Sequence, residues 1–400
     1  MNGPTRPAAS LLVALGVTAC NAGGSFGVPG TAAQSVGQLP SSYLEATGSK
    51  RLCADTRVGY LNCDVLLNTN AEPGVPGLGP PDFQKAYALP SKTKGAGQIV
   101  AIVDAYDNPN VASDLNAYRK NFGLGTAKFS KYNQLGQKKN YPSHCAGGYA
   151  GWCVEIDLDV DMVSASCPKC TIWLFEANTN NGNDLYAAVA RAAKMGAHII
   201  SNSYGGGGGS ASHGDFAKKG VVYLASAGDF GYGMQDPADY DTVVSVGGTQ
   251  LSKVGSKYTE KVWPHSGAGC SVVTKPSWQH DSKCAERTGN DISAVAENVA
   301  EYDSFHYGGW IQVNGTSISS PLLGGVFGLA GNAGTHQSGK PFWTMTNQNR
   351  RRYLHYINSG GVVGCPPSLM GSYLCVAGTS QYTTYSGPAG WGTPKGIGAF

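Results

Sequence analysis

From Gly95 onward the chain alternates short apolar runs with helical stretches, and this alternation restricts its fold more than any other feature. Residues 98–104, Gln-Ile-Val-Ala-Ile-Val-Asp, form a near-continuous apolar run suited to a strand buried on both faces. Residues 110–122 follow, with Val111, Leu115, Tyr118 and Phe122 at helical spacing. The pattern recurs as a strand at 171–177, an alanine-rich helix at 184–195, and strands at 198–204, 221–227 and 242–246. Such an order predicts the α/β class, with a doubly wound parallel sheet in one large domain. Functional groups in these sheets gather beyond the carboxyl ends of the strands, where Asp104, Ser203 and Asp229 fall. No glycine-rich phosphate loop stands at a strand end, and 205–209 is a plain glycine run suited to a rim.

The N-terminus is an address. Residues 1–7 carry only Arg6 as a charged side chain, 8–16 are apolar, and Val17-Thr18-Ala19-Cys20 follows. This stretch is too short to span a bilayer and reads as an export signal. Its ending resembles the bacterial lipobox, whose cysteine is acylated and becomes the first residue; the other reading is an ordinary cleaved signal with an incidental cysteine. The expected organisation is a signal over 1–20 with lipidated Cys20, a tether and short pro-region over 21–80, and the main domain over 81–400. A membrane is then a partner through the lipid, and the location is the periplasm or the cell surface. With Cys20 acylated, ten of the 11 cysteines remain, and they fall into local couples: Cys53/Cys63, Cys145/Cys153, Cys167/Cys170, Cys270/Cys284 and Cys365/Cys375. An even set of close neighbours predicts disulfides in an oxidising compartment. The Cys-x-x-Cys at 167–170 has no second copy to complete a zinc site. A net charge of +3 without a basic run, Arg350-Arg351-Arg352 being isolated, argues against a nucleic-acid partner.

Three segments carry candidate chemistry. In Gly315-Thr316-Ser317-Ile318-Ser319-Ser320-Pro321, small residues flank a serine that opens an apolar helix. The amides and dipole of that helix start favour a developing negative charge, although a Thr-Ser pair also serves simply as a helix cap. Residues 152–161 read as a helix with carboxylates on two faces, Glu155 with Asp159 and Asp157 with Asp161. Like charges one turn apart repel unless they share a proton; Asp157 and Asp161 are expected on a solvated face. Finally, the buried strand at 221–227 runs into Gly228-Asp229-Phe230-Gly231, which holds an aspartate at a strand end or makes a simple turn.

Together and in this order, these segments resemble the sedolisin family of serine-carboxyl peptidases, which have a subtilisin-like fold. The resemblance covers residues 80–400. The family's Glu-x-x-x-Asp helix matches Glu155 and Asp159, with Pro168 behind it. Its oxyanion aspartate matches Asp229, followed by Ser245-Val246-Gly247-Gly248-Thr249, and its nucleophile matches Ser317. Ser203, Tyr204 and Gly205 resemble its substrate-binding edge. The resemblance implies a peptide or protein substrate and an acid endopeptidase: Glu155 as base, Asp159 coupled to it, and protonated Asp229 donating to the oxyanion.

The chain also departs from the family. The carboxylates of the family's calcium site are replaced by Tyr356 and Ser386, so no tight metal or other cofactor is expected. The pro-region is shorter than the family's folded prodomain. Asp104 is expected as a strand-end structural residue or as an extra acid near the dyad. A neutral Ser/His/Asp protease is the rival enzyme, but none of the eight histidines stands in a His-Gly-Thr context. A catalytically silent, peptide-binding lipoprotein is the alternative from another class.

Overall fold

The computed structural model describes residues 41–71, 77–207, 213–379 and 385–400. The expected signal, Cys20 and the tether to residue 40 lie outside the described residues. Strands are numbered β1 (Ser49–Arg51), β2 (Asn62–Cys63), β3 (Leu66–Asn68), β4 (Ile99–Ala105), β5 (Lys128–Asn133), β6 (Thr171–Ala177), β7 (Ile199–Asn202), β8 (Tyr204–Gly205), β9 (Val222–Ser226), β10 (Val243–Val254), β11 (Lys257–Val262), β12 (Ile292–Val295), β13 (Val299–Asp303) and β14 (Gly309–Asn314). The principal helices are α1 (Val111–Asn121), α2 (Ala150–Ser166), α3 (Gly182–Met195) and α4 (Thr316–Ala330).

An eight-stranded sheet in the order β11-β10-β9-β7-β4-β6-β5, with β12 beside β10, forms the centre. Its neighbours are parallel except at the β10/β11 hairpin. The apolar run at 98–104 becomes β4, flanked by β6 and β7, with Val100, Ile102 and Val103 fully buried. The described part of the expected tether and pro-region contains a short helix at Ser41–Ala46 and the strands β1, β2 and β3, and a second short helix, Pro80–Ala86, starts where that region ends. Strands β1 and β3 join β14 and β13 in a second, four-stranded antiparallel sheet.

The helix α4 packs on α2 in the middle of the molecule. Leu322, Val326 and Phe327 on α4 are fully buried, each contributing about 1.5–3 kcal/mol. The small residues of this segment let two helices approach closely: a Cβ on Gly325 would lie 1.9 Å from Ser166 Oγ. All residues of α2 from Gly151 onward are buried, including Glu155, Asp157, Asp159 and Asp161. The solvated face expected for Asp157 and Asp161 is therefore corrected. Helix α2 is packed by α4 and β4 and also by α1 and β13, so it has no water-facing side. Five disulfides join Cys53–Cys63, Cys145–Cys153, Cys167–Cys170, Cys270–Cys284 and Cys365–Cys375, as the spacing predicts.

Candidate active site

Ser317 lies in the first turn of α4, fully buried. Gly315 before it has φ +147°, a conformation that glycine adopts without strain. A Cβ there would lie 2.1 Å from the Asp64 carbonyl oxygen and 2.9 Å from Asp229 Oδ2, so glycine also makes room for both groups. The Ser317 backbone amide, unsatisfied within the helix at this position, donates to the Asp64 carbonyl at 3.2 Å. The Ser317 hydroxyl donates to the Ser203 carbonyl at 3.2 Å.

Packing of α2 on α4 places Glu155 and Asp159, one turn apart, next to this serine. Burial pushes the Glu155 carboxyl well above the usual glutamate range; the charges of Asp159 and Asp104 push the same way, and the Ser317 hydroxyl beside it pulls down. Neither Glu155 oxygen makes a well-formed hydrogen bond. Asp159 accepts from Ser203 Oγ at 2.7 Å through Oδ1, while its Oδ2 is unpartnered. Its carboxyl is also raised well above the usual range, by burial and then by Asp104. Asp104, at the end of β4, is fully buried with both oxygens unpartnered, and burial lifts it to about 8. Three carboxyls thus share one dry pocket, where they cannot all ionise.

Asp229 follows β9. Its Oδ1 accepts from Thr316 N at 2.8 Å and from Thr316 Oγ at 2.9 Å, while Oδ2 is unpartnered. Burial and the Asp64 charge raise its carboxyl well above the usual aspartate range. It is held through one oxygen by Thr316, with the other unpartnered near Gly315, an arrangement by which a protonated carboxyl could donate a hydrogen bond to an oxyanion. Ser203 contributes to the pocket through both its hydroxyl and its carbonyl; Tyr204 and Gly205 form β8, which pairs antiparallel with β2.

The structure thus gathers Ser317, Glu155, Asp159, Asp229, Ser203, Tyr204 and Gly205 around one point, and adds Asp104. Sequence reasoning missed Asp64, Ser226 and Gln235, which meet there as well: Asp64 Oδ2 accepts from Ser226 Oγ and from Gln235 Nε2, each at 2.5 Å. Only the adjoining cysteine marked Asp64 as structurally fixed. Tyr356, 40% exposed, and buried Ser386 supply no carboxylate. Elsewhere, one oxygen each of Asp114, Asp157 and Asp303 lie within 4.8 Å of one another. Burial raises the Asp157 and Asp303 carboxyls, the direction expected of acids that keep their protons.

Residues 95–356 match the model of the subtilase family. Among curated relatives, kumamolisin of Bacillus sp. (strain MN-32) is 27% identical over 61% of this chain and 50% of its own length. Sedolisin of Pseudomonas sp. (strain 101) is 23% identical over 91% of this chain and 67% of its own. The chain therefore spans about half the length of the first relative and about two thirds of the second. A solved structure of Pseudomonas sedolisin, described as a serine-carboxyl proteinase complexed with two molecules of pseudo-iodotyrostatin, superposes with a TM-score of 0.65 at 24% identity, covering 80% of this chain and 96% of that one. By its match over the greater part of its length, the chain belongs to the subtilase family, and kumamolisin and sedolisin are among its relatives there.

Proposed function

We propose that the protein is an exported serine-carboxyl endopeptidase, active at acidic pH, with Ser317 as nucleophile, Glu155 as base and Asp229 as oxyanion donor. The observation that carries this reading is the unpartnered Asp229 Oδ2 on one side of the Ser317 turn, with the buried Glu155/Asp159 pair on the other. A serine hydroxyl is a weak nucleophile until a base takes its proton. A buried carboxyl pair that holds one proton keeps one negative charge available to Glu155 and raises its basicity. Asp159 and Asp104 act as positioning acids that set this charge, and Ser203 fixes Asp159. As the substrate carbonyl becomes tetrahedral, its oxygen is held by the Ser317 amide and protonated Asp229. Glu155 then delivers the proton to the leaving amine, and water repeats the sequence on the ester.

The pH sign follows from the directions of the shifts. Asp229 donates while protonated, and it ionises as pH rises through its raised pKa, turning a donor into a repelling charge. Activity is therefore acid-peaked. We further propose that residues 1–20 export the chain, that Cys20 carries a lipid holding it in the periplasm or at the cell surface, and that residues 21–80 serve as tether and pro-region. Catalysis needs no metal in this scheme. The test is a profile from pH 3 to 8 of peptide cleavage by the chain from residue 21 and by its Ser317→Ala variant. Acid-peaked cleavage lost in the variant is expected; undiminished activity at pH 8 refutes the assignment of Asp229. A folded chain that binds peptides in its groove but cleaves none at any pH is the silent binding protein instead.

A further inference from the structure

The groove in front of Ser317 is filled by the chain itself. Cys63 and Asn62 pair antiparallel with Tyr204 and Gly205, and Leu61 N donates to the Asn180 carbonyl at 2.8 Å. Asp64 N donates to the Ser203 carbonyl at 3.2 Å, and the Asp64 carbonyl accepts from the Ser317 amide at 3.2 Å. Beyond it, Leu66 and Leu67 pair with Asn314 and Val313. The chain is thus held on both sides of the Asp64–Val65 bond, with the Asp64 carbonyl where the oxyanion is stabilised. The Asp64 side chain enters a pocket in which Ser226 Oγ and Gln235 Nε2 converge on one oxygen. Gln235 Nε2 also donates to the Ser226 carbonyl at 3.1 Å. Gln235 closes over Gly205, where a Cβ would lie 2.1 Å from its amide carbon, so the glycine is what admits it.

We propose that Ser226 and Gln235 select an aspartic side chain immediately before the cleaved bond, and that the first bond so cleaved is the chain's own Asp64–Val65. This rests on the peptidase reading above. Both donors in the pocket are neutral. Burial lifts the Asp64 carboxyl to about 7, so under acid conditions it occupies the pocket as the uncharged acid. The charged groups acting there are Arg51 on β1, which favours ionisation, and Asp229 and Glu155, whose carboxyls feel the Asp64 charge as repulsion. Asparagine presents the same carbonyl acceptor and fits as well; lysine leaves Gln235 and Ser226 facing a cation.

In the reaction, Ser317 Oγ bonds to the Asp64 carbonyl carbon while its proton passes to Glu155. The carbonyl electron pair moves onto the oxygen held by the Ser317 amide and Asp229. Collapse breaks the bond to the Val65 nitrogen, which takes the proton from Glu155. Water then attacks the ester, leaving an α-carboxyl on Asp64 and restoring the serine hydroxyl. The Cys53–Cys63 bridge lies wholly before the cut, and the other described bridges lie wholly after it. Pairing of β1 with β3 is then a non-covalent hold on the piece that fills the groove, and its departure opens the site to other substrates.

The test uses the full chain, exported by its own signal, beside its Ser317→Ala variant. Both are held at pH 4 and followed by intact mass and N-terminal sequencing, with a peptide library added as a second substrate. The expected result is a new Val65 terminus and library cleavage after aspartate and asparagine, both absent in the variant. In Ser226→Ala and Gln235→Met, the preference for aspartate over leucine falls by about tenfold for each hydrogen bond lost. Should these variants fail to fold, Asp64→Leu in the unchanged enzyme carries the test, with self-cleavage slowed at least about tenfold by the same reasoning. Library cleavage without that preference, a first cut at another bond, or a Val65 terminus in Ser317→Ala overturns the proposal and leaves the peptidase reading standing. A folded chain that cuts neither itself nor the library overturns the peptidase reading.

Discussion

Replacing Asp157 or Asp161 with asparagine is expected to stabilise the protein near neutrality and to do almost nothing at pH 4. Asp157 accepts from Asn108 Nδ2 at 2.7 Å and leaves Oδ1 unpartnered; both Asp161 oxygens are unpartnered. Burial raises both carboxyls well above 3.8, helped at Asp157 by the charges of Asp303, Asp114 and Asp161 and opposed at Asp161 first by the nearby Tyr302 backbone amide and then by Arg119. The folded state thus holds protons that the unfolded chain has released. Its stability is full below pH about 3.8 and is lost as pH rises toward the folded pKa. Each such group costs about 1.4 kcal/mol per pH unit, or about 2.7 kcal/mol between pH 4 and pH 6. Asparagine copies the protonated acid in shape and removes that slope. At about 2.1 cal/mol/K per residue, 1 kcal/mol moves the Tm of a domain this large by slightly more than about 1 °C, so each variant should gain about 3 °C at pH 6. Thermal unfolding followed by circular dichroism at pH 4, 5 and 6, with every chain carrying Ser317→Ala so that no self-cleavage intervenes, measures it. A wild-type Tm that rises over this window, or variants whose curves run parallel to it, would refute the argument.

The other expectations follow from the same geometry. Asp229→Ala removes a donor from the oxyanion and should lower kcat about 10²–10³-fold at the acid optimum, whereas Asp229→Asn keeps an N–H there and should retain more activity at high pH; a kcat for the alanine variant within threefold of wild type, or equal pH profiles for wild type and the asparagine variant, would remove Asp229 from the oxyanion site. Chelation should leave the Tm within about 1 °C if, as the family resemblance implies, Tyr356 and Ser386 replace the carboxylates of a hard-cation site; a larger drop would expose a structural metal.

The parts of this arrangement that were legible in the sequence are those written locally. The apolar run of β4 and the small residues before the core of α4 each carry their meaning within a few positions, and Glu155 and Asp159 are tied by one helical turn. The burial of Asp157 and Asp161 was not legible in the same way. Helical spacing shows that they share a face, but whether water reaches it depends on α1 and β13, which close over α2 from distant parts of the chain. Residues 61–66 were harder still. Strands β2 and β8 are two residues each, too short to show any alternation, and their pairing joins segments far apart in sequence. Asp64 has no neighbour to mark it except the disulfide cysteine beside it, and Gln235 and Ser226 take their meaning from Asp64.

The acid preference of the fold and that of the proposed chemistry have one physical cause, which is burial of carboxyls without enough cations to match them. Helix α2 carries two such pairs on different faces, one toward Ser317 and one toward α1 and β13. A fold that pairs each acid with a lysine would lose the proton that the proposed oxyanion donor Asp229 has to hold and the shared proton proposed to tune Glu155. The occupied groove extends the argument. The Asp64 charge raises the Asp229 carboxyl, so an acid in the Ser226/Gln235 pocket makes ionisation of the oxyanion donor more costly. That effect needs the pocket acid ionised, so it is absent at acid pH, where Asp64 is neutral. It acts only toward about pH 7, where an ionised aspartate before the cleaved bond would help keep Asp229 protonated and a neutral or basic side chain would not.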